Sequence, residues 1–292
     1  MPFNHLLDYR SLDRLERMTD ADRKDLLHDV LRHGPSEETW RAILELFGTW
    51  PDDEAKLAAL EDADAAMSGW DDRLRVLGTA RLLQGSRLLS LARILRTISI
   101  HRRAERGETE LLAVAASPDV SRLTRLEILR CEIGPSAWRS MIESPYLSNL
   151  RHLQVVNTLL PGDSFQRLIQ ASHMPSLCSL QLNEAGLGPG ALQAVARSAA
   201  PFALRTVDLS DNLLRDEGAM ALAEATWLRS VEQLVLRRSF IREAGMRALL
   251  SSPVLQRLKQ VDLRDNGRGN VDVTALRSIA AARGIELVGP GS

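Results

Sequence analysis

From Leu123 onward an aliphatic pattern returns every 27 residues, six times, without insertion or deletion. The spacing L-x-x-L-x-L-x-x-[N/C]-x-L is first filled by Leu123, Leu126, Ile128, Cys131 and Ile133. It returns as Leu150, Leu153, Val155, Thr158, Leu160 and as Leu177, Leu180, Leu182, Ala185, Leu187. Three more frames start at Leu204, Val231 and Leu258, with Asn212, Ser239 and Asn266 at the ninth position. A fixed period of this length identifies a stack of identical units, each burying its neighbour's apolar face, and excludes an ordinary compact domain. The L-x-L core of each frame predicts a short strand whose alternate side chains face a shared interior. The ninth residue turns the chain away from the strand, where Asn, Cys, Thr or Ser can bond unpaired backbone groups. Ala185 cannot, so the weakest turn is expected in the third full repeat.

The second half of each frame predicts a helix. Position 15 carries Ala137, Ser164, Ala191, Gly218, Gly245 and Asp272; position 19 carries Met141, Leu168, Val195, Leu222, Leu249 and Leu276. Small then large residues four apart let a helix lie close to a sheet and still plug the core. Leu95, Ile98 and Ile100 keep the strand spacing one unit earlier, with Arg103 and Glu105 replacing the turn residues, as in a degenerate first repeat over 95–122. Ile285 and Leu287 predict a terminal strand near 285–288. The expected fold class is α/β: a curved solenoid with a parallel concave sheet and convex helices, over 95–292.

These residues resemble the leucine-rich repeat family, in particular its ribonuclease-inhibitor-like branch. The resemblance implies a horseshoe whose concave sheet, and sometimes its convex helices, binds proteins. It also implies an alternative through the Ran GTPase-activating proteins: a regulator acting in trans on a small GTPase, with Asn212 or Asn266 as the turn-borne asparagine. Both asparagines fit the repeat's own ladder, so the expected function is a non-enzymatic protein-binding module.

Residues 1–94 lack the period and predict a small α-helical N-terminal or capping domain. Thr19-x-x-Asp22 reads as a helix start, followed by a helix up to Gly34. A second follows Pro35-Ser36, with Trp40, Ile43, Leu44 and Phe47 on one face, and a third spans about Asp52 to Met67. Arg73 to Leu77 alternates like a strand, whereas Ala80 to Leu95 looks helical. Trp40, Trp50 and Trp70 are expected in this domain's core, and Glu54, Glu61, Asp62 and Asp64 on the solvated side of its third helix.

A composition of 45% hydrophobic and 26% charged residues supports a folded core. The formal charge of −1 argues against a dedicated nucleic-acid binder. No apolar stretch is long enough to span a bilayer. The N-terminus places no apolar run behind a basic start, and Cys131 and Cys178 are too few for a disulfide framework, so a cytoplasmic monomer is expected. Of the 37 basic residues only Lys24, Lys56 and Lys259 are lysines, which fits a GC-rich bacterial genome. The six histidines have no metal-ligand spacing, and no phosphate loop occurs, so neither cofactor nor metal is expected.

The candidate partner surface is the concave face. Position 7 runs His101, Leu129, Val156, Asn183, Ser210, Arg237 and Arg264; position 8 runs Arg102, Arg130, Asn157, Glu184, Asp211, Arg238 and Asp265. With Gln181 and Asp208 from position 5, these give an apolar pair (Leu129, Val156), an acidic strip (Glu184, Asp208, Asp211) and a basic strip (Arg237, Arg238, Arg264). Arg130, Asn157 and Asn183 complete the set. Apolar anchors beside charge are what a protein partner uses for burial and orientation.

Overall fold

The computed structural model describes residues 15–78, 83–84, 87–88, 90–101, 107–267 and 271–289. The start of the chain, Arg102, Arg103 and Glu105 lie outside them.

Among the described residues, three complete helices precede the sheet: α1 (Asp20–Leu31), α2 (Glu37–Thr49) and α3 (Glu54–Ala66). Each is started by a side chain that accepts an orphan N–H of the first turn. Thr19 and Asp22 form a reciprocal capping box, Ser36 accepts from the Thr39 N–H, and Asp53 accepts from the Lys56 N–H. Ile43, Phe47, Leu60, Ala63 and Met67 are buried between the helices. Trp40 and Trp50 are buried as expected, while Trp70 is only half-buried.

A nine-stranded sheet follows, of β1 (Val76–Gly78), β4 (Thr97–His101), β5 (Arg125–Leu129), β6 (His152–Val156), β7 (Ser179–Asn183), β8 (Thr206–Asp208), β9 (Gln233–Val235), β10 (Gln260–Asp262) and β11 (Glu286–Val288). Every neighbouring pair is parallel and the strands stand in chain order. The register is the sequence period made physical. Leu77, Ile98, Leu126, Leu153, Leu180, Val207, Leu234, Val261 and Leu287 lie side by side across the sheet, all pointing inward. The last described strand, β11, pairs with β10. The sheet also begins earlier than the repeat: β1 lies within residues 1–94.

The helical expectation for Ala80 to Leu95 is corrected. Leu83–Gln84 (β2) and Arg87–Leu88 (β3) form an antiparallel pair, and Ser90–Ile94 is a 3-10 turn.

Helices α4 (Gly107–Ala116), α5 (Pro135–Ile142), α6 (Ser164–Ile169), α7 (Pro189–Val195), α8 (Arg215–Ala223), α9 (Glu243–Leu250) and α10 (Val273–Ala282) connect the strands and pack on their neighbours. The six position-19 residues are fully buried. At position 15, Gly245 shows why the residue must be small. A Cβ there would stand 2.7 Å from Asp216 Oδ1 and 2.8 Å from Ala219 Cβ and Ile241 Cγ2, so α8 and α9 could not approach. Asp272 departs from this role: it is exposed and caps α10 by accepting the Ala275 N–H at 2.9 Å. One apolar core runs from Leu15 to Ile285 through the helices and the repeats.

Polar contacts join α1–α3 to the first strands. Trp40 Nε1 donates to the Val76 carbonyl at 3.0 Å. The carboxylates of α3 are not all solvated as the sequence suggests. Glu54 and Asp62 are exposed, but Asp64 is buried among three arginines. Its carboxylate meets Arg75, Arg96 Nη2 at 2.7 Å and Arg122 Nη1 at 3.0 Å, and Glu61 meets Arg122 Nη2 at 2.6 Å. Strand entry brings those arginines to the end of α3, a tertiary coincidence that no local pattern announces.

Candidate functional site

The backbone of each turn is held by a ladder. Asn212 Oδ1 accepts the N–H groups of Ala185 and Leu187, both at 3.1 Å, and its Nδ2 donates to the carbonyls of Leu182, Leu209 and Ser210. Asn266 repeats this one unit pair later, accepting from Ser239 and Ile241 and donating to Leu236, Leu263 and Arg264. Thr158 accepts the Cys131 N–H at 3.0 Å, and Ser239 donates to the Arg237 carbonyl. At Ala185 the backbone substitutes: its carbonyl accepts the Leu160 N–H at 3.1 Å. Both asparagines are thus saturated by backbone partners and present no free carboxamide. Burial pushes the Cys131 thiol above the usual range, away from nucleophilic use.

Position 8 has a geometry the sequence reading lacked. Arg130, Asn157, Glu184, Asp211, Arg238 and Asp265 all have φ between 47° and 61°. In these six repeats the chain therefore leaves the strand through a left-handed residue, directly after β5, β6 and β7 and three residues after the end of β8, β9 and β10. The tolerance of Asn and Asp for this region was the available signal, at Asn157, Asp211 and Asp265. The column is also internally paired. Asn157 bonds Glu184, and Arg238 reaches Asp211 Oδ1 at 2.5 Å and Asp265 Oδ2 at 3.5 Å. Acidic and basic strips expected to stand apart are in contact here, since adjacent repeats bring position 8 of one beside position 8 of the next.

On the sheet's open face, opposite the helices, positions 3, 5 and 7 point outward. Leu129, Val156 and Asn183 are direct neighbours across β5, β6 and β7, and Gln181 lies beside Asp208. Asn183 is buried, its Nδ2 donating to Asp208 Oδ1 at 2.9 Å. Ser210 Oγ also donates to that oxygen and accepts the Arg237 N–H at 3.1 Å. The structure therefore brings Asn183, Asp208, Ser210 and Arg237 into one row. Arg264 is diverted: it clamps Asp262, with Nη2 to Oδ2 at 2.5 Å. Burial pushes the Asp262 carboxyl up, but bonds from Arg264 more than offset this and hold it below the ordinary range.

Three buried polar atoms of this face have no hydrogen-bond partner: Arg125 Nε, Asn183 Oδ1 and Arg237 Nε. Arg125, Glu127, His152 and Gln154 were missed as face residues, although the period-two alternation that picked out Gln181 and Asp208 also marks them. Burial, then Arg125 and Arg73, hold the His152 imidazole below its ordinary pKa, so it is neutral at pH 7. Among the described residues no group of His, Cys, Asp and Glu could hold a metal ion. No described helix is long and apolar enough to cross a membrane.

A parallel sheet in chain order, one strand per 27-residue unit, with outer helices and a turn ladder that includes Asn212 and Asn266, is a leucine-rich-repeat solenoid, here with helices preceding it. No protein-family model matches the chain, and no curated protein matches it. Among solved structures, a protein of Bacteroides fragilis is 12% identical with a TM-score of 0.46, covering 72% of this chain and 68% of that one. An internalin of Listeria monocytogenes is 12% identical with a TM-score of 0.42, covering 70% of this chain and 52% of that one. This chain thus spans about half of the internalin. The yeast Rad7 and Elc1 complex gives 13% identity and a TM-score of 0.28, covering 91% and 94%.

Proposed function

We propose that the chain is a non-enzymatic protein-binding module of the ribonuclease-inhibitor-like kind, cytoplasmic and monomeric, with residues 1–94 as a cap. Its partner docks on the concave face across Leu129, Val156, Asn183 and Arg237. One observation carries this reading: an apolar pair, half-exposed on an otherwise polar face, is flanked by buried polar atoms of Arg125, Asn183 and Arg237 that lack partners. Such groups in a native protein call for a ligand or another explanation. Arginine at an interface centre is a frequent carrier of binding energy, and apolar side chains beside it add buried area. The net charge of −1 disfavours nucleic acid as that partner.

The test is affinity capture from the source cell with the wild type, Leu129→Glu and Arg237→Glu in parallel. The expected result is one protein retained by the wild type and lost by both variants, with melting temperatures unchanged. Retention by both variants would remove the concave face as the site. Loss of stability together with binding would make these residues part of the fold.

A further inference from the structure

The edge along which the chain enters its strands carries an uneven charge. The second residue of each frame stacks there as a row. The Cys178 carbonyl accepts the Arg205 N–H, the Arg205 carbonyl accepts from Glu232, and the Glu232 carbonyl accepts from Lys259. The two residues before each frame flank that row. In the frames starting at Leu204, Val231 and Leu258, these three positions hold Arg205, Arg229, Arg257 and Lys259 against a single carboxylate, Glu232. All four cations are exposed.

Glu232 is already engaged. It meets Lys259 Nζ at 2.6 Å and Arg205 Nη1 at 3.6 Å, and the hydrogen bond from Lys259 holds its carboxyl below the ordinary range. Arg229 and Arg257 are left without an ion-pair partner among the described residues. Among those residues they are also the only charged ones lining a groove of about 490 Å³, whose other walls are Thr226, Ser230, Pro253, Val254 and Gln256.

Neighbouring acids do not offset this surplus. Glu224 lies in a separate groove between the convex helices, with Arg197. Glu286 Oε2 accepts from Gln260 Nε2 at 2.9 Å on the open face of the sheet. Arg283, whose Nη2 donates to the Leu255 carbonyl at 2.8 Å, adds a further cation. At the other end of the edge Arg122 is tied to Glu61 and Asp64, and Thr124 donates to Asp72, so the surplus is greatest over the last three frames.

Four cations against one paired carboxylate, on a chain of net charge −1, select an anionic partner. Single-stranded nucleic acid needs aromatic side chains beside such cations, and the one aromatic at these positions, Phe202, is buried. Membrane docking gains from apolar insertion, and none of the exposed large hydrophobic residues lies at these positions. We infer that this edge is a docking site, separate from the concave face, for an acidic protein segment whose carboxylates pair with Arg229 and Arg257 in the groove. Strands β8 and β10 stand about 10 Å apart, a span that three residues of extended chain cover. Asp or Glu at alternate positions of the segment therefore reaches the cations of successive repeats.

The test measures, by fluorescence anisotropy, binding of a labelled ten-residue peptide of alternating Glu and Ser to the full chain. A Lys-Ser peptide, a uridylate decamer and phosphatidylserine vesicles are run beside it. Two double variants of equal net charge are compared with the wild type: Arg229→Glu with Arg257→Glu on the edge, and Arg242→Glu with Arg277→Glu away from it. All four arginines are exposed, so both variants keep the fold. The Glu-Ser peptide is expected to bind, the Lys-Ser peptide to fail, and affinity to weaken as salt is raised. Affinity falls by about tenfold or more on the edge variant, much less on the other, and is unchanged on Leu129→Glu. No binding of the Glu-Ser peptide, or equal losses on the two double variants, would overturn the inference. Tighter binding of the uridylate decamer or the vesicles would also overturn it, by assigning the edge to that anion. Binding lost only on Leu129→Glu would overturn it while supporting the concave-face reading. Sedimentation gives the remaining arm: a wild-type dimer that the edge variant dissociates would assign the edge to a second copy of the chain and overturn the peptide assignment.

Discussion

Replacing Asp64 by alanine leaves three guanidiniums around an empty place. The Asp64 side chain is 12% exposed and Arg75 only 2%, whereas Arg122 is 40% exposed and keeps Glu61 as a partner at 2.6 Å. The penalty therefore falls on Arg75 and Arg96. Removing one member of a buried ion pair costs about 3–5 kcal/mol. Arg75 still donates to the Ile94 carbonyl at 2.9 and 2.6 Å and to Met67 at 3.3 Å, so its N–H groups remain satisfied. The lower end applies, about 3 kcal/mol. Unfolding entropy of about 2.1 cal/mol/K per residue over 292 residues converts this to a drop of about 5 °C, if the chain melts as one unit. Denaturant titration followed by tryptophan fluorescence measures the loss. Hydrogen exchange in α3 and β1 shows whether it is local, as an array with nearest-neighbour coupling allows. Glu61→Ala is the control, because its exposed pairs are worth under about 1 kcal/mol. The reasoning fails if Asp64→Ala costs no more than Glu61→Ala. It also fails if adding Arg75→Met to Asp64→Ala recovers none of the loss, since an apolar replacement of the whole pair should be close to neutral.

Asn212→Ala is expected to lower stability by about 3 kcal/mol, because it strands two buried N–H groups and three carbonyls, and Asn266→Ala by less, since Asn266 is only half-buried. Thermal denaturation of both variants checks the order, and equal losses would count against the burial argument. For pH, the folded pKa of His152 lies below its unfolded value of about 6.5, so the unfolded chain binds the extra proton first. The stability from this site is complete above that pH and declines as pH falls through and below it. Urea midpoints at successive pH values should show this decline in the wild type and its reduction in His152→Gln. The depressed Asp262 carboxyl acts at lower pH, contributing above about 3.9 and losing its contribution as pH falls through its folded value.

The repeat register, the inward residues and helices α1 to α3 were legible in the primary structure because each depends on short-range pattern. Leu126, Leu153 and Leu180 must stack if units of equal length are to share one core, and Thr19, Ser36 and Asp53 act on N–H groups three residues away. The candidate surface was legible in part: alternation gave Leu129, Val156, Gln181 and Asp208, whereas Arg125 and His152, which the same rule marks, were missed. Pairing between repeats was not. Whether Arg237 is free while Arg238 and Arg264 are clamped depends on backbone geometry at position 8 and on neighbours about 27 residues away, or two residues away for Asp262 and Arg264. Asp64 looked like any helix-surface carboxylate until folding brought Arg75, Arg96 and Arg122 to it. Nothing in the local pattern marks Phe240, which the structure leaves exposed on a left-handed backbone. Local pattern decides which face of an element is buried; which charges meet, and which hydrophobic residues stay uncovered, is decided only when distant repeats are stacked.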